Sequence, residues 1–256
     1  MRRFFDYAFI PAALFILWLY TTTEGFVAPI LLPSPASVAA RFAELIGNGE
    51  LLHHIGASAF RTMTGFLLAA SLGISLGVLC AKSPKASRLT RFLIEALRVT
   101  PPLSLIPLLI LWCGIGEIEE APKIAIVFLS GFFPIYMNAA TAVAGVDPKL
   151  IEAARTLKFT GRELFFKLTL PAALPGIVTG LRLGFGYCWR ALVGAELIAA
   201  SSGLGFLISE SGEFAKTDAV FVGIITIVVL GIAADALLRA LLKRVTPASV
   251  AEVQRV

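Results

Sequence analysis

Residues 219–242 read AVFVGIITIVVLGIAADALLRALL, and no charged residue interrupts the stretch before Asp235. Wound as a helix rising 1.5 Å per residue, a segment of this length covers the ~30 Å hydrocarbon core of a bilayer. A helix apolar on every side leaves no polar face for water, so it belongs in lipid or in a large core. Five comparable runs lie at residues 7–22, 55–81, 92–113, 122–143 and 170–200. The pattern predicts an all-α polytopic membrane protein with six transmembrane helices, residues 1–256 forming one domain.

Composition agrees, with 57% hydrophobic and 15% charged residues in 256, well to the apolar side of soluble proteins. The net charge of +5 raises the question of a nucleic-acid partner, but the basic residues form short clusters between apolar runs and no single polar face. Arg2 and Arg3, then Lys82, Lys85, Arg88 and Arg91, then Lys149, Arg155, Lys158, Arg162 and Lys167, then Arg239, Lys243, Arg244 and Arg255 fall on alternate sides of the six runs. The opposite loops hold Arg41, Lys123 and Lys216 against nine carboxylates: Glu24, Glu44, Glu50, Glu117, Glu119, Glu120, Glu210, Glu213 and Asp218. The positive-inside rule then puts both termini in the cytoplasm. The first run follows two arginines as a signal peptide does, but with no convincing small-residue cleavage site it reads as an uncleaved span.

Cys80, Cys113 and Cys188 are odd in number and set in apolar sequence, which excludes a disulfide framework or a zinc site and leaves them as small apolar fillers. His53 and His54 read as surface residues of an outer loop, residues 23–54, with a short helix near 37–46. No metal-ligand spacing surrounds them. Ser201-Ser202-Gly203 lacks the G-x-S-x-G pattern of a nucleophile and reads as a glycine turn. Glycines 65, 73 and 77 with Ala69 in the second run, and glycines 176, 180 and 184 in the fifth, recur every four residues, the spacing that lets helices approach closely in lipid. The expectation is that these two runs pack on each other.

Residues 146–158 read VDPKLIEAARTLK, too polar to span. Asp147 can cap a first turn with Pro148 at N1, where its missing N–H costs nothing. Leu150, Ile151, Ala154 and Leu157 fall on one face of the resulting surface helix. Thr160 and Glu163 have capping-box spacing and open a second short helix before Leu170-Pro171.

Glu152-Ala153-Ala154, followed after a spacer by Leu170-Pro171, resembles the E-A-A loop of ABC importer permeases. The resemblance continues through LPAALPGI at 170–177, Gly180-Leu181-Arg182, Ala195-Glu196-Leu197 and SSGLG at 201–205. With the stretch from Pro101-Pro102 to Gly116, these segments are similar to the nitrate, sulfonate and taurine branch, and together they cover the last two-thirds of the chain. Lys158 stands where the family pattern has glycine, and Leu168 where it has isoleucine; Gly161 is the expected substitute for the bend.

The resemblance implies a type I importer permease in the bacterial inner membrane. It would work with a second permease copy, two cytoplasmic ATP-binding subunits and a periplasmic or extracellular substrate-binding protein. It implies that the loop at 147–169 is a coupling element: Pro148, Ile151, Glu152, Ala153, Ala154, Leu157, Lys158 and Gly161 form the part that docks in a cleft of the ATPase. ATP and Mg would sit on that partner, with no cofactor in this chain. The chain accordingly lacks G-x-x-x-x-G-K-[ST], so it is expected to be a transport subunit and no enzyme.

Arg61, Arg98, Arg182, Arg190 and Glu196 lie in or near the spans, where a central charge costs roughly 2.5–3.5 kcal/mol on insertion scales. In the fifth run Arg182, Arg190 and Glu196 share an arc of about 120° at the helical period. One reading makes these five residues a translocation pathway for a small anion of the aliphatic sulfonate, taurine or nitrate class. The other pairs the arginines with Glu95, Glu196 or backbone carbonyls, or lets them snorkel. The alternative function is a secondary transporter driven by an ion gradient, using Glu196 and Asp235 as intramembrane carboxylates. That alternative leaves the Glu152-Ala153-Ala154 loop unexplained.

Overall fold

The computed structural model describes residues 2–113 and 120–245, with side chains at 9–113 and 120–243. Of the residues used above, Arg2, Arg3, Gly116, Glu117, Glu119, Arg244 and Arg255 fall outside those side chains. The regular elements among the described residues are all helical. The first half comprises α1 (Arg2–Thr23), α2 (Pro35–Gly47), α3 (Glu50–Lys82), α4 (Pro84–Val99), a 3-10 turn (Pro102–Leu105) and α5 (Ile106–Cys113). The second comprises α6 (Glu120–Ala144), α7 (Pro148–Thr156), α8 (Gly161–Glu163), a π turn (Leu164–Thr169), α9 (Leu170–Ala199), α10 (Leu204–Glu213) and α11 (Thr217–Val245).

Four helical segments among the described residues are long and apolar enough to cross a bilayer: Glu50–Lys82, Glu120–Ala144, Gly161–Ala199 and Thr217–Lys243. The described apolar part of α1, Phe9–Thr23, is shorter. The run at 92–113 is not one straight span. It divides between α4 and the Pro102–Cys113 segment, which meet at 93°. Pro101 and Pro102 supply the cause: proline has no N–H for the helical ladder, and its ring drives the preceding residue to extended angles. Thr100 and Pro101 accordingly have ψ near 121° and 122°.

The chain forms two compact units, one of Met1–Ser58 with Glu196–Leu230, the other of Ala59–Ala195 with Gly231–Val256. In the second unit α6 is the centre. A Cβ added at Gly65 would lie 2.5 Å from Val127 Cγ1, and one at Gly77 2.7 Å from the Tyr136 carbonyl, so the small stripe of α3 rests on α6. The stripe of α9 does the same: Gly180 faces Asn138, and Gly184 faces Ile135 with the Gly131 carbonyl behind it. Both small stripes pack on α6, and the two helices also meet each other beside it. Ala69, Val127, Ile135 and Cys188 are fully enclosed there, and Phe66 meets Phe185 edge to face at 5.3 Å.

In the first unit, α2 opens on the Ser34 cap, whose side chain accepts from the Ser37 amide at 3.1 Å. Arg41 of α2 bridges to Asp218 of α11 at 3.2 Å and to Glu44 at 2.8 Å. Trp18 of α1 stacks on Phe221 of α11 at 5.5 Å and donates its indole N–H to the Pro33 carbonyl at 2.9 Å. Leu45, Leu51, Leu204, Leu207 and Val222 are buried among these helices.

Candidate functional site

The segment between α6 and α9 is built by local signals. The Asp147 side chain accepts from the Lys149 amide at 2.9 Å, and Pro148 occupies the first turn of α7. Ile151 and Ala154 face inward: Ala154 is buried, and Ile151 packs against the cluster of Ala139, Val143, Val146, Ala173 and Ile177. Glu152, Ala153 and Leu157 are exposed, Leu157 at 72%. Of the eight residues expected to dock, Ile151 and Ala154 also seat α7 on its own chain.

The bend that follows falls at Lys158, with φ 61°; Gly161 is helical and does not take it over. The Lys158 amide donates to the Arg155 carbonyl at 2.9 Å and the Phe159 amide to the Ala154 carbonyl at 3.1 Å. This double closure is a Schellman motif, usually completed by glycine because a Cβ is strained at positive φ.

Thr160 and Glu163 then form the full capping box: Thr160 Oγ1 accepts from the Glu163 amide at 3.3 Å, and Glu163 Oε2 accepts from the Thr160 amide at 3.1 Å. The second short helix is not separate. It continues through the π turn into α9 as one helix, Gly161–Ala199, about 58 Å long and roughly twice the hydrocarbon thickness. The Lys167 ammonium lies 2.8 Å from Glu163 Oε1. Lys82 sits 3.9 Å over the Phe165 ring, a cation–π contact that ties the end of α3 to the π turn.

The intramembrane charges have different surroundings. Arg61 is fully buried in the second unit and forms a fork on Glu120, its Nη2 donating to Oε1 at 2.6 Å and its Nε to Oε2. Lys123, also buried, lies 3.6 Å from the same carboxylate. Arg182 is exposed. Arg98 and Arg190, both exposed, line one groove of about 480 Å³ in the second unit, with Phe133, Pro134 and Leu103 on its apolar side.

Glu196 is buried in the first unit. Its two oxygens accept the Ser58 hydroxyl at 2.9 Å, and Oε2 also accepts the Gly205 amide at 3.0 Å. Ser58 Oγ in turn accepts the Leu204 amide at 2.9 Å, and His54 Nδ1 accepts the Gly203 amide at 3.0 Å. The turn before α10, with Gly203 at φ 111°, is thus held by three side chains, His54 and Ser58 of α3 and Glu196 of α9. His54 is 6% exposed inside α3, not a surface residue of an outer loop; its neighbour His53 is exposed. The arc of Arg182, Arg190 and Glu196 therefore has two exposed members and one enclosed.

Three residues missed in the sequence carry much of this geometry: Ser58, Glu120 and Lys123. Signals existed, since His54 and Ser58 are polar at i, i+4 in an apolar helix, and Glu120 and Lys123 are opposite charges at i, i+3.

The model of the family described as the binding-protein-dependent transport system inner membrane component matches residues 73–247. This chain belongs to that family. Among curated relatives, the permease is 40% identical over 232 residues to the putative aliphatic sulfonates transport permease protein SsuC of Bacillus subtilis (strain 168), covering 91% of this chain and 83% of the relative. It is 37% identical over 241 residues to the taurine transport system permease protein TauC of Escherichia coli (strain K12), covering 92% and 86%. The nitrate import permease protein NrtB of Leptolyngbya laminosa is 31% identical over 197 residues, covering 77% and 70%. Among solved structures, the inward facing MetNI methionine ABC transporter superposes on the permease with a TM-score of 0.67 at 18% identity, over 77% of this chain and 96% of that one. That likeness concerns the fold alone.

Proposed function

We propose that this permease forms the membrane pathway of an ATP-driven ABC importer for a small oxyanion of the aliphatic sulfonate, taurine or nitrate class, and that α7 is its contact with a separate ATPase. The observation that carries the coupling reading is the divided surface of α7. One side is rooted in the permease core through Ile151 and Ala154; the other presents the side chains of Glu152, Ala153 and Leu157 outward. A small residue beside an exposed apolar anchor is what an amphipathic helix needs to enter a groove. The assembly would contain a second permease copy, two ATP-binding subunits and a substrate-binding protein, with both permease termini in the cytoplasm. The names of the relatives and the positive-inside count support those assignments.

The test is co-purification of the full-length permease with its ATPase. Ala153→Trp and Glu152→Arg should lose the ATPase while the permease keeps its thermal unfolding profile. Retention of a fully active complex by both variants, or uptake by the chain alone on an ion gradient, overturns the proposal.

A further inference from the structure

We infer that Arg98 and Arg190 form a two-guanidinium binding station, on the permease itself, for an oxyanion that carries a short aliphatic tail. The inference rests on the reading of the chain as an oxyanion importer and narrows its five candidate charges to two. Arg98, from the last turn of α4, and Arg190, from α9, border the same groove of about 480 Å³, within the size range of small-molecule sites. Both remain rich in free donors. Arg190 donates Nε to the Gly186 carbonyl at 3.0 Å and lies 4.7 Å over the Tyr187 ring, contacts that orient the guanidinium without neutralising it. Arg98 donates one Nη1 hydrogen toward the thioether of Met137 at 3.3 Å, a weak acceptor.

Among the described residues no carboxylate lines this groove, and Glu95, which borders the adjoining cleft with Arg98, is bonded to Arg91 at 2.9 Å. Arg61 shows the contrasting case of a guanidinium closed by Glu120. Planar guanidinium donors match the oxygens of a tetrahedral oxyanion in pairs, and Phe133, Pro134 and Leu103 offer apolar surface to an alkyl tail. An ammonium group on the far end of the ligand would meet no carboxylate there. The groove therefore favours a plain alkanesulfonate over an amine-bearing one and over a tailless anion.

The experiment is titration calorimetry on the full chain in phosphatidylcholine nanodiscs, without ATPase, with butanesulfonate as the probe and butanol and butylammonium as controls. Saturable binding of butanesulfonate alone is expected, weakened about tenfold by Arg98→Gln or Arg190→Gln, as loss of a charged hydrogen bond implies. Arg182→Gln, on the same helix and outside the groove, should leave it unchanged. Arg98→Lys and Arg190→Lys, which keep charge and lose the planar fork, should fall between and serve if the glutamine variants do not fold. Equal binding by wild type and all groove variants, an equal loss in Arg182→Gln, or binding of butylammonium overturns the inference. Loss of butanesulfonate binding when phosphatidylglycerol replaces phosphatidylcholine also overturns it, assigning the groove to a lipid headgroup. Because no ATPase is present, a negative result here with ATPase association intact in co-purification removes the station and leaves the importer reading standing.

Discussion

Phe159 donates its amide hydrogen to the carbonyl of Ala154, 3.1 Å away, and so folds the end of α7 back over Lys158. The closure forces Lys158 to φ 61°, a region where a Cβ costs roughly 1 kcal/mol and glycine pays nothing for it. Lys158→Gly should therefore raise stability by only a few tenths of a kcal/mol, the strain relieved being largely offset by the about 0.4–1 kcal/mol of added entropy in the unfolded glycine chain. Thermal unfolding of the purified chain measures it. Lys158→Val, β-branched at the same angle, should lower the midpoint.

Close approach on α6 gives a second expectation. Gly184→Leu must displace Ile135 and the backbone behind it, and overpacking of this kind costs about 1–3 kcal/mol or more. Gly186→Ala, two residues away and facing open space, should not destabilise and should gain about 0.5–1 kcal/mol of helix propensity. Yield and thermal midpoint in detergent distinguish the two.

Removing the Arg61 guanidinium by Arg61→Leu leaves Glu120 and Lys123 at a site built for three charges. Glu120 is 43% exposed and keeps Lys123 beside it, so water screens the carboxylate left behind and the loss should fall below the ~3–5 kcal/mol of a fully buried pair. The double variant with Glu120→Gln should recover part of that loss, and a double-mutant cycle on unfolding free energies reads the coupling. Purely additive losses would show that the fork contributes nothing beyond its separate side chains.

Glu196→Gln places an amide N–H₂ where the carboxylate now accepts from Ser58 and Gly205. The amide oxygen can keep Gly205 and Ser58, so the change replaces charge-assisted hydrogen bonds by weaker neutral ones, a loss of about 1 kcal/mol. Hydrogen exchange at Gly203 to Gly205 should accelerate in this variant and in Ser58→Ala. Unchanged exchange in both would mean that the turn before α10 is held by other contacts.

Much of this was legible in the sequence where the signal is local. The Asp147 cap, Pro148 at N1 and the Thr160–Glu163 box are four-residue grammar, and each forms as the spacing predicts. Hydropathy also located the apolar helices, because burial in lipid acts on every residue of the run. It could not place the corner at Pro101-Pro102, since apolar residues count the same on both sides of a bend. Nor could a stripe of small residues announce its partner: Gly65 and Gly184 promise close approach, and only the fold shows that α6 receives both. His54 was misread because α3 begins at Glu50, a turn before its strongly apolar part, and the tertiary partner, Gly203, lies 149 residues away.

The π turn at Leu164–Thr169 sets a phase. There the Leu170 amide reaches back five residues to Phe165, which accommodates one extra residue just ahead of Pro171 and relieves the clash proline would make with an ordinary ladder. One residue of helix is about 100° of rotation. Everything upstream of the turn, including the Thr160–Glu163 cap, is therefore indexed to α9 like the bit of a key to its shaft. Deleting one residue within the turn would leave the composition, the caps and the apolar length nearly untouched, and would aim the whole leading end of the helix in another direction.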